Sequence, residues 1–282
     1  MPTTLVPPAT LAQHLDDPGW VVLDIRHDLM RPEHWGEDEY RAGHIPGAVF
    51  LHLDRDLSAP KTGRNGRHPL PSPDAAAATF GRAGVGPSTQ VVVYDQASGM
   101  FATRAWWMLR WLGHSAVALL DGGYERWVRE GFPVTTDARA PRAARFVPAP
   151  PLPTVDARDL LASLPTRSLT IVDARAPERF RGETEPLDPV AGHIPGARNR
   201  PFLANLTEQG TFKDPSTLRR EFAALLGDTS PASVVHQCGS GVSACHNLLA
   251  MVVAGYPETR LYPGSWSEWC ADPTRPVATG DR

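Results

Sequence analysis

Residues 233–255 read "SVVHQCGSGVSACHNLLAMVVAG". A short β-branched run, SVVHQ, ends at Cys238. A glycine-containing turn follows (Gly239, Ser240, Gly241, Val242, Ser243), and then an apolar stretch of helix length closed by Gly255. The period changes from strand to helix across five or so residues, which marks one strand–loop–helix unit. Short apolar strands followed by helices imply a parallel sheet covered on both faces. In such sheets ligands bind beyond the carboxyl ends of the strands. Cys238 falls at that edge.

The unit occurs in a duplicated frame. "LDIR" (23–26) and "GHIPGA" (43–48) return as "VDAR" (172–175) and "GHIPGA" (192–197), both displaced by 149 positions. "VVVYDQASGMFA" (91–102) parallels "SVVHQCGSGVSA" (233–244), and "DGGYERW" (121–127) parallels "PGSWSEW" (263–269), both displaced by 142. Blocks recurring in one order at domain-sized spacing indicate a duplicated domain. Aligned by that second displacement, Cys238 faces Gln96 and Gln237 faces Asp95, so the first copy has no thiol in its loop.

Each copy reads as α/β. The first has strands at 20–24, 90–95 and 117–121, with a helix over 101–113. The second has strands at 169–173, 233–237 and 259–264, with a helix capped by Asp214 or Ser216 and another after Cys238. Between the copies, "PRAARFVPAPPLPT" (141–154) holds five prolines, a composition that reads as a semi-rigid connector. The expected plan is a domain over 1–140, a linker over 141–154 and a second domain over 155–282. Each domain is a mainly parallel sheet with helices on both faces.

Composition narrows the function. The 282 residues are 41% hydrophobic with a formal net charge of −3, enough for two cores and without the basic excess of a nucleic-acid binder. Three cysteines (Cys238, Cys245, Cys270) form no disulfide framework and no zinc spacing, so no metal or cofactor is expected. The N-terminal "MPTTLVPPATLAQHL" has no signal-peptide pattern, and the longest run of A, V, I, L and M, "LLAMVVA" (248–254), is far short of a membrane span. A soluble, reducing, cytoplasmic setting with no membrane partner is the expectation.

The cysteine loop carries the chemistry. Gly239 and Gly241 let the chain curl so that N–H groups of residues 239–244 face inward as an anion-binding nest. The helix start near Val242, Ser243 and Ala244 adds its positive end. Negative charge on sulfur is favoured there, which suits covalent catalysis by Cys238. The competing reading is an inert core cysteine. The glycines, the strand end and the helix start together favour the nucleophile. A cysteine-dependent phosphatase places an arginine after five intervening residues to clamp phosphate. Ala244 stands there, which opposes that class. A cysteine-protease signature is also lacking near Cys238.

The tandem "GHIPGA" blocks, "CGSGVSA" (238–244) and "GSWSEW" (264–269) resemble the two-domain rhodanese-type sulfurtransferases. The resemblance implies two rhodanese-like domains with catalysis in the second, where Cys238 becomes a persulfide. The Cys-Gly-Ser-Gly-Val-Ser loop is similar to the 3-mercaptopyruvate type; a thiosulfate donor is the alternative. It implies a small anionic sulfur donor, with a thiol such as thioredoxin, or cyanide, as acceptor. Ser240 and His44 are implied as catalytic partners, with Glu33 or Asp38 as acidic candidates. Gly239, Gly241, Val242, Ser243 and Ala244 would line the donor, and Arg179 would hold its carboxylate. The family's second arginine, nine positions later, is replaced by Asp188. Arg181 and Arg200 are the candidate substitutes.

Plainer roles stand beside these. His44 and His193 share a duplicated turn, so a structural role bonding turn carbonyls is the simpler reading. Asp24 and Asp173 are expected to pair with Arg26 and Arg175. Cys245, Trp266 and Trp269 read as core. "KTGRNGRH" (61–68) reads as a solvated basic loop able to steer anions.

Overall fold

The structure, a computed structural model, describes residues 1–138 and 140–281. It forms two compact units. The first comprises Met1–Ser58, Pro71–Leu152 and Glu208–Thr211; the second comprises Ala59–Leu70, Pro153–Thr207 and Phe212–Arg282. The loop that carries the basic run 61–68 therefore belongs to the second unit, although its sequence lies in the first copy. The proline-rich stretch also differs from the expected connector. Three of its amides bond to the first unit, Ala144 N–H to the Gly81 carbonyl at 2.8 Å, Ala149 to Leu112 at 2.9 Å and Leu152 to Trp111 at 3.0 Å.

In the first unit, strands β1 (Leu5–Val6), β2 (Trp20–Asp24), β3 (Val49–Phe50), β4 (Gln90–Tyr94) and β5 (Val117–Leu120) form one sheet in the order β1-β5-β4-β2-β3. In the second, β6 (Thr170–Asp173), β7 (Arg198–Asn199), β8 (Val234–Gln237) and β9 (Arg260–Leu261) form a sheet in the order β7-β6-β8-β9. All pairings of these strands are parallel. The helix Ala102–Trp111 follows β4, and Ala244–Val253 follows β8. The helix Pro215–Leu226 starts at Asp214, whose carboxylate accepts from Thr217 N–H at 2.9 Å. No described helix is long and apolar enough to cross a membrane.

The repeated motifs build the same local structure twice. Arg26 forks onto Asp24 and donates to the Gly43 carbonyl at 2.8 Å; Arg175 forks onto Asp173 and donates to the Gly192 carbonyl at 2.7 Å. Each fork thus fastens a strand end to the turn that carries a GHIPGA histidine. His44 Nδ1 lies 2.7 Å from the Tyr40 carbonyl, and His193 Nδ1 lies 2.8 Å from that of Phe180. Each imidazole is fully buried and stacks on the ring whose carbonyl it bonds. Each core carries tryptophans, Trp127 in the first and Trp266 and Trp269 in the second.

One buried group is expected to make the second core acid-sensitive. His236, inside β8, has Nε2 3.2 Å from Met251 Sδ and no hydrogen-bond partner on Nδ1. Burial, with Arg200 nearby, pushes its pKa down to about 3. It is therefore neutral in the folded chain at pH values where the unfolded chain protonates it. Stability should fall by roughly 1.4 kcal/mol for each pH unit below about 6.5 until the folded value is reached. Denaturant midpoints measured from neutral to mildly acidic pH are expected to show this slope, and His236→Leu should flatten it. An unchanged slope in the variant would show that other groups dominate.

Candidate functional site

Cys238 follows the last residue of β8 and is almost fully buried. Its N–H donates to Ser265 Oγ at 3.1 Å, and its carbonyl accepts from Trp266 N–H at 3.0 Å. Ser265 has φ +53, a left-handed conformation unusual for a side-chain-bearing residue, and its hydroxyl donates onward to the Tyr262 carbonyl at 3.0 Å. These bonds anchor the cysteine backbone to the first two residues of the helix Ser265–Trp269.

The sulfur faces the turn. Gly241 N–H donates to Cys238 Sγ at 3.2 Å. Gly241 has φ +75, and a Cβ there would collide with the Pro263 carbonyl, so both conformation and space require glycine. Val242, Ser243 and Ala244 continue the turn as buried residues. On the other side of the Gly241 peptide, the Cys245 thiol donates to its carbonyl at 3.4 Å. Cys245 is thus seated on the first turn of the helix. All three cysteines are free, and burial together with the nearby Asp188 pushes the Cys270 thiol up to about 11.

The first unit shows what this loop does with an anion. Asp24 registers with Tyr94 in one sheet, and Asp173 with Gln237 in the other. Tyr124 N–H bonds the Asp95 carbonyl just as Trp266 N–H bonds that of Cys238. Asp95, not Gln96, therefore occupies the cysteine's seat. The alignment at displacement 142 fails at this point because the first loop spans 95–101 and the second only 238–243, one residue shorter. The Asp95 carboxylate accepts backbone N–H bonds from Gly99 at 2.9 Å, Phe101 at 2.8 Å, and Ala97 and Ala102 at 3.2 Å each. Burial raises its pKa, and those four donors oppose the rise. The turn is an anion nest, filled in the first copy by its own carboxylate.

Around Cys238 the second unit gathers residues that are distant in sequence. His68 Nδ1 lies 2.7 Å from Ser240 Oγ, and both residues are buried. Arg67 N–H donates to Ser267 Oγ at 3.0 Å, and its guanidinium is bonded to the Asp188 carboxylate. Arg179 donates to Glu185 at 2.6 Å and reaches Asp188 at 3.5 Å. A Cβ on Gly239 would lie 2.7 Å from an Arg67 guanidinium nitrogen and 3.6 Å from those of Arg179. The two guanidiniums therefore flank the residue directly after Cys238, in the space that a side chain at 239 would need.

Both halves of the chain match the model of the rhodanese-like domain, over residues 7–130 and 156–272. The chain belongs to the rhodanese family. It is 49% identical over 274 residues to a probable 3-mercaptopyruvate sulfurtransferase of Pseudomonas aeruginosa, covering 96% of each chain. It is 41% identical to a putative thiosulfate sulfurtransferase of Mycobacterium tuberculosis, covering 92% of this chain and 90% of the relative. The crystal structure of a 3-mercaptopyruvate sulfotransferase from Escherichia coli superposes with a TM-score of 0.80 at 33% identity, covering 94% of this chain and 99% of that one. This rhodanese-family chain is a sulfurtransferase, with two rhodanese domains of the expected α/β fold.

Within its second rhodanese domain, the structure brings Ser240, Arg179 and the turn 239–244 around Cys238. It does not bring His44 there. His44 is in the first unit, locked on the Tyr40 carbonyl in the same manner as its duplicate His193. The histidine at Ser240 is His68. Glu33 and Asp38 also lie in the first unit: the Glu33 carbonyl faces His52 Nε2, and Asp38 pairs with His34 and Arg41. The two arginines offered by the sequence in place of the missing one each have partners of their own. Arg181 pairs with exposed Glu183, and Arg200 is bound to Asn205 and Glu221. Arg67, from the run 61–68 that reads as solvated in the sequence, lies beside Arg179 at Gly239. Trp266 is a core anchor, its indole N–H on the Val190 carbonyl at 2.9 Å.

His27, His52 and Asp54 also converge, with side-chain atoms within 4.8 Å of one another. Their geometry does not suit a metal. His52 Nδ1 accepts from Asp54 N–H and Arg55 N–H as a helix cap, and its Nε2 bonds the Glu33 carbonyl, so the ring has no lone pair to offer.

Proposed function

We propose that the chain moves a sulfane sulfur from 3-mercaptopyruvate to a thiol or cyanide through a persulfide on Cys238. The observation that carries this reading is the first-copy nest. The equivalent turn closes four N–H groups on a carboxylate, and in the second copy the seat of that carboxylate holds a thiol. Backbone N–H groups aimed at that seat would face the Cys238 sulfur, and then the outer sulfur of a persulfide.

In the proposed reaction the Cys238 thiolate attacks the donor sulfur. An S–S bond forms, the C–S bond breaks, and its electron pair leaves as pyruvate enolate. A proton then returns to the enolate carbon, supplied through Ser240 and its partner His68. An acceptor thiolate or cyanide attacks the outer sulfur, taking it as a persulfide or thiocyanate and regenerating the Cys238 thiolate. Arg67 and Arg179 bind the donor's carboxylate as charge-assisted donors. Gly239 supports the donor choice, because a side chain there would have to displace the Arg67 guanidinium, 2.7 Å from its Cβ.

The test compares thiocyanate formation with the two donors. With cyanide as acceptor, kcat/KM is expected to be at least about tenfold higher for 3-mercaptopyruvate than for thiosulfate. Higher kcat/KM with thiosulfate would overturn the donor while leaving sulfur transfer intact.

A further inference from the structure

We propose that Asp188 is a specificity-determining residue: by neutralising and positioning Arg67 it makes the donor site favour a singly charged carboxylate over a dianion. The inference rests on the reading that the donor's anionic end lies against Arg67 and Arg179.

The site is layered by charge. The Arg67 and Arg179 side chains are partly accessible, at 24% and 17%, whereas those of Asp188 and Glu185, which they bond, are only 3% accessible. A donor therefore meets cations first, but each cation already has a carboxylate behind it. Glu185 cannot be the adjustable member. It also bonds Arg175 and the N–H groups of Leu187 and Asp188, so it holds the loop together. Asp188 has no bond of that kind among the described contacts of its side chain. Its oxygens go to the two guanidiniums that face Gly239. Its charge thus acts directly on the cations that would meet a donor.

A unit charge buried a few ångströms behind a binding site is felt strongly, because the intervening medium is not water. It opposes each negative charge on the ligand, so a dianion such as thiosulfate suffers about twice as much as the mercaptopyruvate carboxylate. The same carboxylate fixes the Arg67 fork, which favours planar carboxylate recognition.

The experiment measures kcat/KM for both donors, with cyanide as acceptor, on the full chain and on Asp188→Asn and Asp188→Glu. Asp188→Asn should shift the ratio of thiosulfate to 3-mercaptopyruvate by about tenfold toward thiosulfate, and the shift should shrink as salt is added. Asp188→Glu, which keeps the charge, should stay close to the parent ratio. Should Asp188→Asn not fold, Arg67→Gln tests the same charge from the other side and should move the ratio away from thiosulfate. A ratio unchanged within about twofold in Asp188→Asn, or shifted equally in Asp188→Glu, overturns the proposal. Parent protein that forms thiocyanate from neither donor would instead sink the sulfur-transfer reading at Cys238 on which the proposal depends.

Discussion

Cys238→Ser is expected to lower thiocyanate formation from either donor by at least about 10³-fold, while the protein stays folded. A serine hydroxyl is not ionised at neutral pH and forms no counterpart of a persulfide, so the covalent route is lost rather than slowed. The fold should tolerate the change. The side chain is small, its neighbouring backbone bonds to Ser265 and Trp266 do not involve the sulfur, and a serine oxygen can still accept the Gly241 N–H. Thermal unfolding of the variant close to that of the parent, with activity gone, is the outcome that supports the nucleophile. Comparable rates in the two proteins would remove Cys238 from the mechanism. Intact mass after incubation with donor gives a second readout, since the parent should gain one sulfur and the variant none.

What the sequence shows of this molecule follows from the range of the interactions involved. The parallel sheets are legible because β-branched runs and the helices after them are local patterns. The duplication is legible because each copy repeats an aspartate–arginine fork that reaches only to the nearby GHIPGA turn. The turn around Cys238 is legible because it is made by the cysteine's immediate neighbours. The residues that complete the site are not. His68 reaches Ser240 across 172 positions, and Arg67 reaches Asp188 across 121. No periodicity connects them. The basic run 61–68 is composed like a solvated loop and gives no sign of belonging to the second unit. His44 attracts attention because it sits in a conspicuous motif, yet its duplication in His193 is the mark of a shared structural role. The seat of Asp95 is hidden for a related reason. The similar "ASG" and "GSG" segments align well, and they conceal the extra residue in the first loop that only strand register exposes.

The second large effect concerns the buried His68–Ser240 pair, in contact at 2.7 Å, which acts as one proton-handling unit in the proposed reaction. With 3-mercaptopyruvate the leaving group is an enolate, which must gain a proton on carbon. His68→Asn and Ser240→Ala should each lower kcat for this donor by about 10²-fold, in the usual range for loss of a general acid. The double variant should lose little more than either single one, because partners in one relay are not additive. With thiosulfate the leaving group is sulfite, a stable anion that needs no carbon protonation. The same variants should then cost less than about tenfold. The donor dependence separates chemistry from architecture. If the pair served only to shape the loop, Cys238 would be misplaced for both donors and the two losses would be equal. Strictly additive losses would show that His68 and Ser240 act separately. A large loss confined to 3-mercaptopyruvate, saturated in the double variant, is the pattern that places the proton on its path from His68 through Ser240 to the departing enolate.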